Sequence, residues 1–135
     1  MARYYLDTCI WRDYFENRSD RFRPLGEWAF QFLRKIIDDE DLIFYSNVVE
    51  NELAEFYSAE KISEIFSIVP KELLIRVNAS SEQLLRSHIL SKKLGIPRND
   101  VTHFILARDN HAVLVSRDAH LAVLGNLVKK PEELL

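Results

Sequence analysis

Hydrophobic residues in this chain form short continuous runs, separated by longer stretches with helical spacing. Continuous runs at residues 3–6, 42–46 and 112–116 predict three buried strands. Between the first two, apolar residues recur at i, i+3, i+4 and i+7 over residues 25–37, which predicts an amphipathic helix. We expect the polar stretch before this helix to begin as a helical turn and to continue as a loop as far as Pro24.

Residue types at helix ends predict further helices in the rest of the chain. Ser80 and Gly95 bracket one helix, and Pro97 with Asn99 announces another over residues 99–110. Asn47 is expected to cap a helix that follows the second strand. Other segments carry weaker patterns: short helices are predicted within residues 59–69 and 117–125, residues 72–80 form either a strand or a loop, and residues 126–135 could add an edge strand.

Strands that alternate with helices imply a parallel sheet with helices on both faces, the α/β class. The length of 135 residues fits a single domain over residues 1–135. The net charge of −3 argues against a strongly basic nucleic-acid coat but not against a local basic patch. Cys9 is the only cysteine, which excludes an internal disulfide and a cysteine-based zinc site. Because no apolar run approaches 18 residues and no leader-like segment is seen, we expect a cytoplasmic protein without a membrane segment.

Four acidic residues that are far apart in sequence fall near one edge of the predicted sheet. Asp7 directly follows the first strand, and Asp118 lies two residues after Ser116 at the end of the third. Glu52 lies on the helix after the second strand, and Asp100 begins the helix of residues 99–110. Ligands of parallel sheets bind beyond these strand ends. Clustered carboxylates repel one another unless a divalent cation binds, and oxygen-only ligands favour Mg²⁺ or Mn²⁺. Such a site suits phosphodiester hydrolysis.

Glu52 has two acidic neighbours, Glu50 and Glu55, and position on the helix distinguishes the three. Glu52 lies nearest to the apolar stripe of this helix, so we expect its carboxylate to be half buried. Glu50 has a separate role available as the capping-box partner of Asn47, and Glu55 is expected to be a solvated surface charge. The stripe consists of Val49, Leu53 and Phe56.

These segments resemble the PIN domain family, which includes the VapC-type toxin ribonucleases of toxin–antitoxin pairs. The similarity covers nearly the whole chain except residues 16–26, which have no assigned counterpart. The matching stretches are YLDTCIW with Asp7 and Thr8, YSNVVENEL with Glu52, NDVTHFILA with Asp100, and LVSRDAHL with Ser116 and Asp118.

The resemblance implies a three-layer α/β/α sandwich with a parallel sheet of four to five strands. It implies an endoribonuclease that depends on Mg²⁺ or Mn²⁺. If metal-bound hydroxide attacks phosphorus, the products carry a 5′-phosphate and a 3′-hydroxyl. The family's acidic positions correspond to Asp7, Asp100 and Asp118 as metal ligands, with Glu52 as a further ligand or a water-positioning group. Its hydroxyl position corresponds to Ser116, where threonine is more usual. A protein antitoxin would be a partner, and apolar surface on helices 25–37 and 47–57 is expected to support a homodimer.

Other residues have ordinary structural explanations. Thr8 either orients Asp7 or only satisfies a turn. His103 matches a subset of the family and is expected to be partly buried, whereas His111 and His120 are expected at the surface. Trp11 and Trp28 are expected in the core. Candidates for phosphate contacts are the basic residues Arg12, Arg18, Arg21, Arg23, Lys92, Lys93, Arg98 and Arg117. Most of them are expected to be solvated, and Arg98 and Arg117 are favoured for RNA contacts because each neighbours a predicted ligand.

Two alternative functions stay open beside the nuclease. One is a binding module with a PIN-like scaffold and a silent nuclease, and the other is an RNA processing or decay factor without an antitoxin. A phosphatase with an aspartate nucleophile is disfavoured, because its second aspartate would fall at Cys9. Each acid taken singly could also be only a helix cap or a surface charge.

Overall fold

A computed structural model describes residues 1–135. Its centre is a five-stranded sheet in which every neighbouring pair is parallel, in the order β3-β2-β1-β4-β5. The strands are β1 Arg3–Leu6, β2 Leu42–Ser46, β3 Leu74–Val77, β4 Val113–Val115 and β5 Val128–Lys129.

Six α-helices connect and cover these strands. They are α1 Thr8–Glu16, α2 Leu25–Asp38, α3 Asn47–Leu53, α4 Ala59–Ser67, α5 Ser81–Leu94 and α6 Arg98–Asp109. Three 3-10 helices, Lys71–Leu73, Ala119–Leu127 and Pro131–Leu134, complete the chain. The α/β sandwich around a parallel sheet is therefore confirmed. No helix in the structure is both long and apolar enough to cross a membrane.

The central position of β1 explains why its sequence is continuously apolar. Tyr4 lies in register with Ile43 of β2 on one side and Val113 of β4 on the other. Helices pack on both faces of the sheet, and one hydrophobic core contains 24 buried residues. Tyr5 and Leu6 have no exposed surface. Asp7, the first polar residue after this strand, is itself buried at the carboxyl edge of the sheet.

Helix α1 is longer than the single turn expected from the sequence. Its buried face includes Ile10, Trp11 and, less obviously, Asp13. The carboxylate of Asp13 accepts hydrogen bonds from Arg18 at 2.8 Å and from Arg117 at 3.1 Å. A charged residue on the buried face interrupts the apolar spacing by which a helix is recognised in a sequence. The partners that allow Asp13 to be buried lie outside the helix, so the sequence of α1 does not reveal them.

The segment of residues 16–26 is closed at its base rather than extended. The amide of Gly26 donates to the Arg18 carbonyl at 2.7 Å. A Cβ atom at Gly26 would lie 2.5 Å from the Asn17 Cα, so only glycine allows this approach of the chain. The segment thus leaves and returns at one point next to α1.

The start of α3 differs from the expected capping box. Ser46, not Asn47, is the N-cap and accepts from the Val49 amide at 3.3 Å. The Asn47 side chain accepts from the Ala79 amide instead, and Glu50 pairs with Arg76 at 2.7 Å. The sequence offered two adjacent capping residues, and contacts with β3 and the segment after it decide between them.

The apolar surface expected to support a homodimer is mostly internal. On α2 the residues Ala29, Phe32, Leu33 and Ile36 are buried, and Phe30 is the exposed exception. Helix α3 ends at Leu53, so Phe56 lies beyond it and is exposed rather than on the buried stripe. A homodimer stays a prediction, but the apolar residues that suggested it are mostly buried within the protein.

Candidate active site

Five carboxylates line one cleft, of about 400 Å³, at the carboxyl edge of the sheet. One of them, Glu55, is exposed as expected, and the other four come from four separate chain segments. Asp7 follows β1 and is the N-cap of α1, and Glu52 lies in the last turn of α3. Asp100 lies in the first turn of α6, and Asp118 follows β4 and caps the 3-10 helix Ala119–Leu127. The sequence-based expectation that these four acids converge is therefore met in the structure.

Asp7 is 6% exposed, and the protein supplies donors to both of its oxygens. Its Oδ1 accepts from the Thr8 amide at 2.7 Å, and its Oδ2 accepts from the Ser116 hydroxyl at 2.7 Å. The same Ser116 oxygen accepts from the Asp118 amide at 3.0 Å. Ser116 thereby connects the acids that follow β1 and β4, which is the role its hydroxyl plays in this fold.

Glu52 is held by two side-chain donors on a single oxygen. Its Oε1 accepts from the Thr8 hydroxyl at 2.9 Å and interacts with Nε2 of His103 at 2.5 Å. Burial raises the pKa of Glu52, but the hydrogen bonds from His103 and Thr8 outweigh it, so this pKa lies below its ordinary value. Thr8 acts on Glu52 through its side chain and on Asp7 only through its amide.

His103 is fully buried, not partly buried as the sequence indicated. Its Nε2 lies 3.5 Å from Asp7 Oδ1, besides the contact with Glu52. Burial lowers the pKa of His103, but the hydrogen bond to Glu52 and the charge of Asp7 outweigh it and raise this pKa. His103 lies three residues after Asp100, and this spacing puts the two residues next to each other on one surface of a helix. The spacing is the sequence feature that indicates a place for His103 near the acids.

A chain of buried hydrogen bonds continues from His103 into the core. Its Nδ1 lies 2.7 Å from the Tyr5 hydroxyl, which lies 2.6 Å from the Ser46 hydroxyl. Burial raises the pKa of Tyr5, so the phenol is neutral and donates one hydrogen bond. If Ser46 donates to Tyr5 and Tyr5 donates to Nδ1, His103 carries its proton on Nε2 and donates it to Glu52. Every proton in this chain then has an acceptor.

The second group of acids is arranged differently. Asp118 Oδ1 accepts from the His120 amide at 2.8 Å, and Nδ1 of His120 lies 3.0 Å from the same oxygen. The pKa of Asp100 is raised to about 7, first by burial and then by its hydrogen bond and charge contact with Asp118. His120 lies 3.7 Å from Asp100 and is largely exposed, as expected. These two carboxylates therefore repel each other when both are ionised.

The donor atoms of the cleft fit a hard divalent cation. Asp7, Glu52 and His103 each offer a ligand atom within 4.8 Å of the others, and Asp100, Asp118 and His120 form a second such group. Carboxylate oxygens dominate, as Mg²⁺ and Mn²⁺ prefer. The raised pKa of Asp100 marks the place where added positive charge would relieve the most repulsion.

The structure places the three arginines near the site differently. Arg117 lines the cleft, but its guanidinium pairs with Asp13 at 3.1 Å and with Glu132 at 2.8 Å. Binding of RNA phosphate by Arg117 would require these pairs to break. Arg98 is exposed at the start of α6 and is not among the residues that line the cleft. Arg12, expected to be solvated, does line it.

Comparisons with known proteins give the fold. No protein-family model and no curated protein matches the sequence. Solved structures do resemble the fold. Among them are a toxin–antitoxin complex from Klebsiella pneumoniae, with TM-score 0.70 and 18% identity, and VapBC2 from Rickettsia felis bound to a DNA fragment from its promoter, with TM-score 0.67 and 18% identity. Each alignment covers 95% of this chain and 97% of the other. The third, VapC20 of Mycobacterium tuberculosis, described as a toxin that cleaves the sarcin–ricin loop, has TM-score 0.65 and 12% identity over 90% and 94% of the two chains.

The chain has a PIN-type fold. The likeness extends over 90–95% of this chain and 94–97% of the chains that it resembles. At 12–18% identity it establishes the fold alone. What this PIN-type domain does is argued from the residues of its own cleft.

Proposed function

We propose that this protein is a divalent-metal-dependent endoribonuclease and the toxin of a VapBC-type pair. One observation carries the proposal: Asp7, Glu52, Asp100 and Asp118 arrive from four chain segments and line one cleft at the carboxyl edge of the sheet. Four acids used only as local caps would not need to share a cleft. The alternative of a silent binding module is disfavoured because the complete acidic set is present.

Asp7, Asp100 and Asp118 would hold Mg²⁺ or Mn²⁺, with Glu52 as a further ligand or as the group that positions the attacking water. The bound cation would supply positive charge for the phosphate oxygens and lower the pKa of a water molecule. No side-chain nucleophile is required, and the products would be a 5′-phosphate and a 3′-hydroxyl.

The residues around the acids limit how much the site must rearrange when substrate binds. The donors Thr8 and Ser116 already hold Glu52 and Asp7 in place. Because these side chains are fixed by the fold, little orientational entropy remains to be lost in the transition state. Glu52, ionised at neutral pH according to its lowered pKa, would orient the attacking water by accepting a hydrogen bond from it.

Cleavage of a labelled single-stranded RNA with Mn²⁺ tests this proposal. Wild type should cleave, a chelator should abolish cleavage, and Asp100→Asn should cleave at most a hundredth as fast. Sequencing of the RNA ends should show 5′-phosphates. Equal cleavage by the wild type and Asp100→Asn would contradict the assignment.

The likeness to two toxin–antitoxin structures supports a protein antitoxin as partner. A small gene adjacent to that of this chain should encode a protein that co-purifies with it and inhibits cleavage. If no such protein is found and RNA cleavage persists, the chain is an RNA processing or decay enzyme without an antitoxin.

A further inference from the structure

We infer that Arg12 and Phe56 form a nucleotide-binding subsite beside the acidic cleft, in which Arg12 binds a backbone phosphate of RNA and Phe56 stacks on a base. The inference rests on the proposed function and extends it to the substrate. Both residues line the same cleft as the four carboxylates.

Phe56 is exposed for a structural reason. Helix α3 ends at Leu53, and the Phe56 amide closes a turn by donating to the Leu53 carbonyl at 3.0 Å. The ring therefore lies beyond the buried stripe, with 54% of the residue exposed. A large aromatic side chain exposed next to a polar cleft offers the kind of surface on which nucleic-acid bases stack.

Arg12 holds one face of this ring. Its guanidinium carbon lies 3.6 Å from the centre of the Phe56 ring, which is a cation–π contact. Its Nε donates to Glu16 at 3.1 Å and to the Tyr57 hydroxyl at 3.4 Å. The two terminal nitrogens donate to no group in the protein, so they remain available for phosphate oxygens.

Arg12 differs in this respect from Arg117, the other arginine of the cleft. Both side chains are partly covered, but the guanidinium of Arg117 is occupied by Asp13 and Glu132. Among the residues that line the cleft, Arg12 is therefore the cation that pairs with a single carboxylate, Glu16, and donates no hydrogen bond through its terminal nitrogens. A polyanion that approaches the five carboxylates of the cleft needs such a cation beside the metal site. The adjacent ring adds affinity without selecting one particular base.

A matched pair elsewhere in the chain provides the control. The Arg21 guanidinium lies 5.2 Å from the Phe22 ring, both residues are exposed, and neither lines the cleft. If exposed arginine–phenylalanine pairs bind RNA indiscriminately, Arg21 and Phe22 should matter as much as Arg12 and Phe56.

The test measures RNA binding rather than cleavage. A fluorescein-labelled single-stranded 12-nucleotide RNA is titrated in Ca²⁺, with gels to confirm that it stays intact. Arg12→Gln should weaken binding roughly tenfold and reduce the slope of log affinity against log salt by about 0.7. Phe56→Ala should weaken binding roughly fivefold or more with the salt slope unchanged, and Phe56→Tyr should restore it. Arg21→Gln and Phe22→Ala should bind as the wild type does.

Stacking has its own readout. With 2-aminopurine placed in turn at each position of the RNA, wild type should quench one position strongly, and Phe56→Ala should lose that quenching. If both Arg12→Gln and Phe56→Ala bind RNA as tightly as the wild type, the proposed subsite is wrong. The two residues would then have another role, such as contact with a protein partner. If that result accompanies metal-dependent cleavage by the wild type, the proposed function stands. If the wild type binds no RNA at all, both fail.

Discussion

The two halves of the acidic cleft solve the problem of buried negative charge in different ways. Around Asp7 and Glu52, the protein supplies donors from Thr8, Ser116 and His103. Around Asp100 and Asp118, two carboxylates face each other, and the neighbouring His120 imidazole is exposed and lies 3.7 Å from Asp100. We call these the Asp7–Glu52 half and the Asp100–Asp118 half.

The difference teaches where a cation would matter most. In the Asp7–Glu52 half, hydrogen bonds to the charged form favour ionisation, as the lowered pKa of Glu52 reflects. In the Asp100–Asp118 half, burial and like charge disfavour ionisation and raise the pKa of Asp100. The first half is preorganised by the fold, and the second is the half in which a cation would replace a proton.

The largest expected effect comes from neutralising one acid in each half. Asp7→Asn and Asp100→Asn should each reduce RNA cleavage by roughly 10²-fold or more. Their stabilities should move in opposite directions at pH 8 without metal. Asp7→Asn should lose about 1–3 kcal/mol, because an amide NH₂ would face the Ser116 and Thr8 donors. Asp100→Asn should gain stability, because it removes like-charge repulsion.

Denaturant unfolding of both variants measures this contrast. Glu55→Gln is a suitable control, since Glu55 lines the same cleft without a hydrogen-bond partner in the core. Losses of stability of equal sign and size in Asp7→Asn and Asp100→Asn would show that the two halves are not distinct.

The next effect separates the two histidines. His103→Leu should cost about 1–3 kcal/mol in the free energy of unfolding, since Tyr5 and Glu52 would lose their buried partner. His120→Ala should change it by less than about 0.5 kcal/mol, because its side chain is 60% exposed. Equal losses of stability in the two variants would mean that the buried hydrogen bonds from His103 to Tyr5 and Glu52 do not stabilise the protein more than the exposed contacts of His120.

Convergence of the acids could be predicted from sequence because it depends on local signals. Asp7 and Asp118 follow apolar strands, and parallel strands bring such positions to the same edge of a sheet. Asp100 and Glu52 lie on helices that start or end at that edge. Strand order and exact helix ends were not needed for this inference.

The partners of individual side chains could not be predicted in the same way. The burial of His103 depends on Tyr5, 98 residues away, and Arg117 meets Asp13 across 104 residues. Exposure of Phe56 depends on α3 ending at Leu53, which the helical pattern did not reveal. Such contacts arise from tertiary packing, so the spacing of residue types along the sequence does not predict them.

The third prediction concerns pH. The pKa of Asp100 rises from 3.8 to about 7 on folding, so between these values the folded protein binds more protons than the unfolded chain. Stability without metal should therefore fall as pH rises from about 4 to 7. Mg²⁺ should raise the unfolding temperature more at pH 8 than at pH 5, because at pH 5 it must displace a proton.

Thermal scans of the wild type and Asp100→Asn at several pH values test this assignment. The raised pKa of His103 shifts stability in the same direction, and that contribution should persist in the variant. A wild-type profile that Asp100→Asn leaves unaltered would assign the whole slope to other groups.

The smallest effect tests the connection between the halves. Ser116 donates to Asp7 at 2.7 Å and accepts from the Asp118 amide at 3.0 Å, whereas Ser87, equally buried, donates only to the Gln83 carbonyl of its own helix. Each serine-to-alanine change should cost about 0.5–1.5 kcal/mol in the free energy of unfolding. Only Ser116→Ala should also weaken Mn²⁺ binding measured by calorimetry, since Asp7 would lose the donor that orients it. Equal Mn²⁺ affinity in the two variants would mean that each half holds its acids independently.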